Sequence, residues 1–490
     1  MGTQKSLRIA VIGAGASGMI TVVKLREIGQ HNIQVFERGE DIGGTWRDQV
    51  YPGVACDVPS HLYRFSFAPN PDWSSVCASG SEIHSYLKKV SEDYHIRKNV
   101  TFGVDVLDAK WSEQAWHLKT SAGDFGPFDV VITAMGILRL PIFPDIEGRS
   151  SFAGISLHSS NWEPDLDVTG KRIGVIGTGS TATQIVPALL AEAKAVTQFQ
   201  RTPQWIMPLP NEAIPEDERA RYRESPEKMQ AIYEKLGDDF NNKFAAAVVG
   251  ANDRFYARME RLCRENLEES IKDPVLREKL RPDYKVGCKR LIMSDRYYDA
   301  IQRSNAHLVT EGIDRIEELG VRTNDGVLHE FDILVYATGI TAHTPFEPMT
   351  VTGTDGKTID EAWQQGAKAY LGVAIPDFPN FFTIGGPNSP IGNFSFLMTA
   401  ERQVSYIMKM VEKLAQGEVK SISPSQAATD RFNKAIQEKM SDTIWVTGCV
   451  SWYQDKHGNI ASWPWSYQEF ERMLDTPDFE DFEMYGKALV

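Results

Sequence analysis

Two glycine-rich runs carry the most chemistry in this 490-residue chain. The first is Val11-Ile-Gly13-Ala-Gly15-Ala-Ser17-Gly18 and the second is Val175-Ile-Gly177-Thr178-Gly179-Ser180-Thr181-Ala182. Both have the spacing Gly-x-Gly-x-x-(Gly/Ala). The first glycine of such a run permits a tight turn, the second lets the backbone approach a pyrophosphate, and the third position allows close packing of helix on strand. The helix that follows offers unpaired N–H groups and a positive dipole end to the phosphates. The two runs differ about 20 residues further on, where the next strand closes. There the first has Glu37, an acid suited to a ribose diol. The second has Arg201 followed by Thr202 and no acid. An acid would repel a 2′-phosphate, whereas an Arg forms a charge-assisted hydrogen bond worth ~1.5–3 kcal/mol, roughly a 10–150-fold preference. The second nucleotide is therefore expected to be NADPH.

The elements around these runs have the order the chemistry needs. Leu7–Ile12 is a short apolar strand, residues 16–28 have helical periodicity, and residues 33–36 form the next strand, a βαβ start. Arg172–Ile176, residues 182–191 and residues 195–200 repeat that order. Further buried strands are predicted at 130–134, 307–309 and 333–337. From about Pro208 to about Leu280 charge rises and strands vanish, and 216–234 and 253–269 read as amphipathic helices. The end of the chain is rich in Pro, Gly, Asn and Trp, with one helix near 400–415. The fold class is thus α/β, with two Rossmann-like dinucleotide-binding domains and a helical insertion.

Composition narrows the function classes. Fifty-two basic against 66 acidic residues give a net charge of −14. An acidic surface disfavours nucleic acid and anionic membrane as partners. No apolar run approaches the roughly 20 residues of a membrane span. The polar start, Met1 to Ser6, leads straight into a strand and predicts no signal peptide. Five cysteines without CxxC spacing predict no disulfide framework, no dithiol flavin reductase and no zinc site, as expected in a reducing cytoplasm.

Two longer patterns say what the nucleotides are used for. One is Phe152-x-Gly154-x-x-x-His158-x-x-x-Trp162. The other is Gly43-Gly44-x-Trp46-x-x-x-x-Tyr51-Pro52-Gly53-x-x-x-Asp57. Together they resemble the two signatures of type I Baeyer–Villiger monooxygenases, flavoproteins that use O2 to insert oxygen beside a ketone carbonyl. In neighbouring monooxygenases of nitrogen and sulfur the position of Trp162 is usually Phe or Tyr. Glu163 stands where Pro or Asp is commoner in the signature, a small departure.

The resemblance implies FAD in the first site, held by Gly13, Gly15, Ser17, Gly18, Glu37, Thr45, Trp46, Asp57, Tyr63 and Val106. It implies NADPH in the second, held by Gly177, Thr178, Gly179, Ser180, Thr181, Gln184, Arg201, Thr202 and Lys289. Chemistry of this kind needs a flavin C4a-peroxide kept anionic, which a fixed positive charge in a dry pocket favours. Arg290, after Lys289 and before Tyr297-Tyr298, fits the place of the family's catalytic Arg, with Asp57 as its orienting partner. His158 is expected at a hinge rather than in proton transfer, and Cys56 as a buried spectator. The implied organisation is an FAD domain in two parts (1–140 and 341–490, the latter with a substrate-pocket tail), an NADPH domain in two parts (141–207 and 285–340) and the insertion 208–284. The Trp-rich tail, Trp445 to Trp465, could line the pocket or pack the core. The expected activity is conversion of small-molecule ketones to esters or lactones, with sulfide oxidation beside it. A heteroatom monooxygenase, which would not need Arg290, and an NADPH oxidase or flavin redox sensor are the alternatives.

Overall fold

A computed structural model describes residues 5–342, 344–455 and 457–486. Residues 1–4, where part of the signal-peptide expectation falls, lie outside the described residues. Two five-stranded sheets, parallel throughout, organise the chain. The first has the order Phe381–Thr383, Val130–Thr133, Ile9–Ile12, Ile33–Phe36, Val100–Thr101. The second has the order Ala306–Val309, Ala195–Phe199, Arg172–Ile176, Ile333–Tyr336, Ile155–His158. The central strands Ile9–Ile12 and Val130–Thr133 are buried at every position. Parallel strands covered on both faces need such unbroken apolar runs, which is why these segments do not alternate.

Each sheet has a glycine loop leading from its central strand into a helix, Ala16–Glu27 in the first and Ser180–Leu189 in the second. The chain crosses between the sheets twice, side by side, where Leu140–Pro141 pairs antiparallel with Ile340–Thr341. A small sheet built on Val106–Ser112, Ala115–Thr120 and Gly123–Phe128 caps one end of the first sheet through Trp116, Phe128 and Phe36. The short parallel pair Ile206–Met207 and Ile292–Met293 brackets the helical segment.

That segment is helical from Glu216 to Lys279, with one revision. The run expected as a single helix from 216 is two, Glu216–Glu224 and Pro226–Asp238. Pro226 has no N–H to continue the first, and Ser225 caps the second by accepting from Lys228 N. The tail holds Phe396–Ala415, as expected, and a second helix, Gln426–Met440, that its polar composition concealed. A further correction concerns cysteine. Cys288 and Cys449, 161 residues apart, form a disulfide with Cα atoms 6.2 Å apart. Scattered spacing hid it because the pairing depends on the tail folding back over the middle of the chain. No helix among the described residues is long and apolar enough to cross a membrane.

Candidate active site

The two glycine loops have the same construction. Gly13 has φ +106° and Gly177 φ +130°; a Cβ on the first would lie 2.6 Å from Ala134 O and on the second 2.2 Å from Ala337 O. No side chain fits these turns. A Cβ on Gly18 would strike Gly13 O at 1.9 Å, which fixes close helix–strand contact. Ala182, fully buried, holds the equivalent place in the second loop. The middle glycines are different in kind. Around Gly179 a Cβ would meet nothing within 4 Å, and at Gly15 only Gly44, at 3.5 Å. Their role is to leave backbone bare toward open space. Neither helix has a side-chain cap at its start or an acid in its first turn. Ser17 and Ser180, Thr181 sit in those first turns, among N–H groups left for an anion. Both loops therefore fit a pyrophosphate.

Beyond the loops the sites diverge. Glu37 is buried, and its carboxylate accepts from Ala14 N, Gly39 N and Arg47 Nη1, each at 2.8 Å. Three of its roughly four lone-pair sites are thus occupied by the protein itself. Arg47, which sequence reasoning passed over, also grips Asp48 at 2.7 Å. Burial lowers its pKa, but Asp48 and Glu37 outweigh that and raise it. The signal was present in the signature, since Arg47 directly follows Trp46. At the second site Arg201 is exposed. Burial and then the neighbouring Arg201 cation lower the Lys289 ammonium. Two cations held this near one another favour an anion between them. Thr178 Oγ1 donates to Thr202 O at 2.8 Å, which ties the glycine loop to the Arg201 turn.

The second signature makes contacts that dock one sheet's loop on the other sheet's helix. Tyr51 Oη donates to Gln184 Oε1 at 2.8 Å, and Gln184 Nε2 donates to Ala55 O at 3.0 Å. Burial pushes the Tyr51 phenol up to about 12. A Cβ on Gly53 would lie 2.6 Å from Gln184 O. Gln184 thus joins the first-sheet loop 51–57 to the second-sheet helix. Trp46 Nε1 donates to Tyr63 Oη at 3.2 Å, with the rings edge to face at 5.7 Å. Thr45 opens the short turn beside them. Val106 keeps its side chain in the core with Ile12 and Phe36, leaving only its backbone for a ligand.

Asp57 and Arg290, 233 residues apart, meet where these parts converge: Arg290 Nη2 donates to Asp57 Oδ2 at 2.6 Å. Asp57 raises the guanidinium pKa against the opposing effect of burial. The Arg290 side chain is 31% exposed, shielded yet open toward one side. Arg290 Nη1 reaches Gly392 O at 3.3 Å. Next to Gly392 is a small cleft of about 30 Å³ whose lining includes Ile137, Gly385, Asn388, Ile391 and Trp452. It lies beyond the carboxyl ends of Val130–Thr133 and Phe381–Thr383, where ligands bind in open α/β sheets. The Trp-rich tail divides its tasks: Trp452 lines the cleft, while Trp445 and Trp463 are fully buried core.

His158 is buried at the crossing between sheets. Its Nδ1 accepts from Ser160 N at 3.1 Å, which leaves the proton on Nε2 to donate to Gly339 O at 3.1 Å. Burial lowers its pKa, though the Gly339 bond opposes this. Cys56 is buried and its thiol is raised by burial, as a spectator would be.

Two glycine loops of one construction, together with the Arg290–Asp57 pair, fit a two-nucleotide oxidoreductase, and relatives specify which. The flavin-binding monooxygenase-like family matches residues 6–223. An uncharacterised monooxygenase of Mycobacterium tuberculosis is 41% identical, over 98% of this chain and 97% of its own length. A Baeyer–Villiger monooxygenase of Streptomyces coelicolor is 38% identical, over 98% of this chain and 93% of its own. Among solved structures, OTEMO in complex with FAD and NADP superposes with a TM-score of 0.87 at 28% identity, covering 98% of this chain and all of that one. The chain belongs to the Baeyer–Villiger monooxygenases.

Proposed function

We propose that the protein binds FAD at the Gly13–Gly18 loop and NADPH at the Gly177–Ala182 loop, and uses O2 to convert a ketone into an ester or lactone. The observation that carries this reading is the Arg290–Asp57 pair beside the cleft. The bound flavin, once reduced by NADPH, supplies the activated oxygen. The chain's residues do the rest. Arg290 stays protonated when shielded and stabilises negative charge as the carbonyl is attacked. Asp57 aims it. Glu37, Ser17, Thr45, Trp46, Tyr63 and the Val106 backbone hold the flavin nucleotide. Thr178, Ser180, Thr181, Gln184 and Thr202 shape the second pocket, where Arg201 and Lys289 take the 2′-phosphate. His158, fixed to Gly339, acts at the hinge between the sheets. The proposed setting is the cytoplasm, with the disulfide as the one feature pulling the other way.

Arg290→Ala tests the assignment. Flavin reduction by NADPH should stay intact in stopped flow, while ester formation falls by about 10²–10³-fold or more, the scale for losing one charge-stabilising donor. Arg290→Lys should not rescue fully, since an ammonium lacks the planar fork. Ester formation by Arg290→Ala at near wild-type rate would overturn the assignment. A panel of ketones and sulfides with product mass analysis identifies the substrate class.

A further inference from the structure

The tail segment Cys449–Tyr453 meets the Cys288–Arg290 segment at three successive residues. Cys449 is bonded to Cys288. Lys289 Nζ donates to Val450 O at 2.6 Å. The Tyr453 hydroxyl lies beside Gly392 with the Arg290 guanidinium, whose positive charge opposes the rise that burial gives the phenol. Tyr453 is buried, stacked on Trp452 at 4.5 Å and against Trp445 at 5.0 Å. Its hydroxyl and Arg290 Nη1 converge on Gly392, where a Cβ would lie 2.8 Å from the first and 2.9 Å from the second. Gly392 has φ +93°, so both the space and the backbone there exclude a side chain.

Consider what fixes the guanidinium. Asp57 holds Nη2 at 2.6 Å, but one bond leaves the head free to pivot about it. The Gly392 carbonyl, at 3.3 Å from Nη1, is a long second contact. The Tyr453 hydroxyl, which converges with Nη1 on Gly392, offers another acceptor, and it comes from a segment covalently tied two residues before Arg290. We infer that the Cys449–Tyr453 segment is a brace for Arg290, in which Tyr453 positions the guanidinium and the Cys288–Cys449 disulfide keeps Tyr453 seated. The inference rests on Arg290 being the charge that serves the oxygenation step. Tyr453 is a positioning residue; it acts through Arg290. Reduction releases the brace. A dithiol such as dithiothreitol transfers two electrons and two protons to the disulfide, giving two cysteine thiols and leaving as its own cyclic disulfide. The segment then loses its covalent tie to Cys288, while the Lys289–Val450 bond and the ring packing of Tyr453 persist.

The test uses the FAD-loaded enzyme in four forms: wild type, Tyr453→Phe, Cys449→Ser and Arg290→Ala. Each is assayed before and after dithiothreitol treatment, with the reductant removed. Peptide mass mapping of untreated wild type should recover Cys288 linked to Cys449. Tyr453→Phe should lower ester formed per NADPH consumed by about tenfold, as expected for one lost hydrogen bond to a charged group. Its flavin reduction by NADPH should match wild type. Reduced wild type and Cys449→Ser should lose coupling in the same direction and show faster amide hydrogen exchange at 450–453. Dithiothreitol should change nothing further in the coupling of Tyr453→Phe, because both act on one contact. The inference is overturned if Cys288 and Cys449 map as free thiols, if Tyr453→Phe couples like wild type, or if reduction leaves exchange at 450–453 unchanged. Arg290→Ala separates the two readings: its loss of ester formation alongside a fully coupled Tyr453→Phe defeats the brace alone, whereas its retention defeats the arginine assignment itself.

Discussion

The two nucleotide sites are alike through the third position of each loop and part company at the end of the next strand. The first closes on Glu37, drawn inward and held by two backbone N–H groups and Arg47. The second closes on Arg201, which is exposed beside Lys289. One site presents a pre-formed acid whose position the protein has already set. The other presents positive charge that gains from an incoming anion. Common backbone geometry thus serves any dinucleotide, and the choice of dinucleotide is left to one residue about 20 positions on. The difference also separates permanence from exchange: a cofactor held around a buried network should stay, and one held by exposed charge should come and go.

The largest expected effect tests the shared part. Gly177→Ala places a methyl 2.2 Å from Ala337 O at a positive φ, and Gly13→Ala places one 2.6 Å from Ala134 O. Each should cost about 3 kcal/mol or more and abolish binding at its own site. Thermal melts and nucleotide titrations on both variants check this; a variant with unchanged Tm and binding would break the claim of common geometry. Next comes Glu37→Gln. A Gln oxygen cannot replace a carboxylate toward three donors, and Arg47 keeps only Asp48 of its two carboxylate partners. The expected cost is about 3 kcal/mol, with loss of FAD on gel filtration while NADPH binding to the remaining protein persists. Arg201→Ala should raise the NADPH KM by roughly 10–150-fold, leave kcat nearly unchanged and leave the NADH KM where it was, since the contact is uniform binding far from the hydride. Equal use of NADPH and NADH by wild type would sink the distinction between the sites.

The smallest effect concerns the turns after the strands. Gly339 O is held by a neutral His158, whereas the corresponding turn at Met135-Gly136 has no histidine on it among the described residues. Because burial depresses the folded pKa of His158, the unfolded chain binds more protons as pH drops through the ordinary value of 6.5. Its stabilising share is therefore complete above that pH and lost below it, by at most about 1.4 kcal/mol per pH unit. His158→Gln should flatten the fall in Tm between pH 7.5 and 5.5. An identical slope would show that the two turns do not differ in this respect.

Much of this was legible in sequence because it is local. Each glycine run lies within about 30 consecutive residues of the strand before it and of the Glu37 or Arg201 that closes the next strand. Arg290 and Asp57 were readable only through ordered patterns, since nothing within either segment names a partner 233 residues away. What stayed hidden depends on tertiary closure. Gln184, expected at the nucleotide, also clasps Tyr51 and Ala55 of the other region. Cys449 finds Cys288 only once the tail has folded back. The break at Ser225-Pro226 was a local signal overlooked in favour of helical periodicity.

The paired crossing at Leu140–Pro141 and Ile340–Thr341 has a consequence for how the chain comes into being. The second sheet lies wholly within residues 155–336, one uninterrupted stretch. The first sheet needs Phe381–Thr383 to cover the edge of Val130–Thr133. During synthesis that apolar edge waits for some 250 residues, while the entire second sheet emerges and can assemble. A chain ending before Phe381 would keep the edge bare, an invitation to pair with strands of other molecules. Premature termination in this protein should therefore yield aggregates rather than a smaller working enzyme.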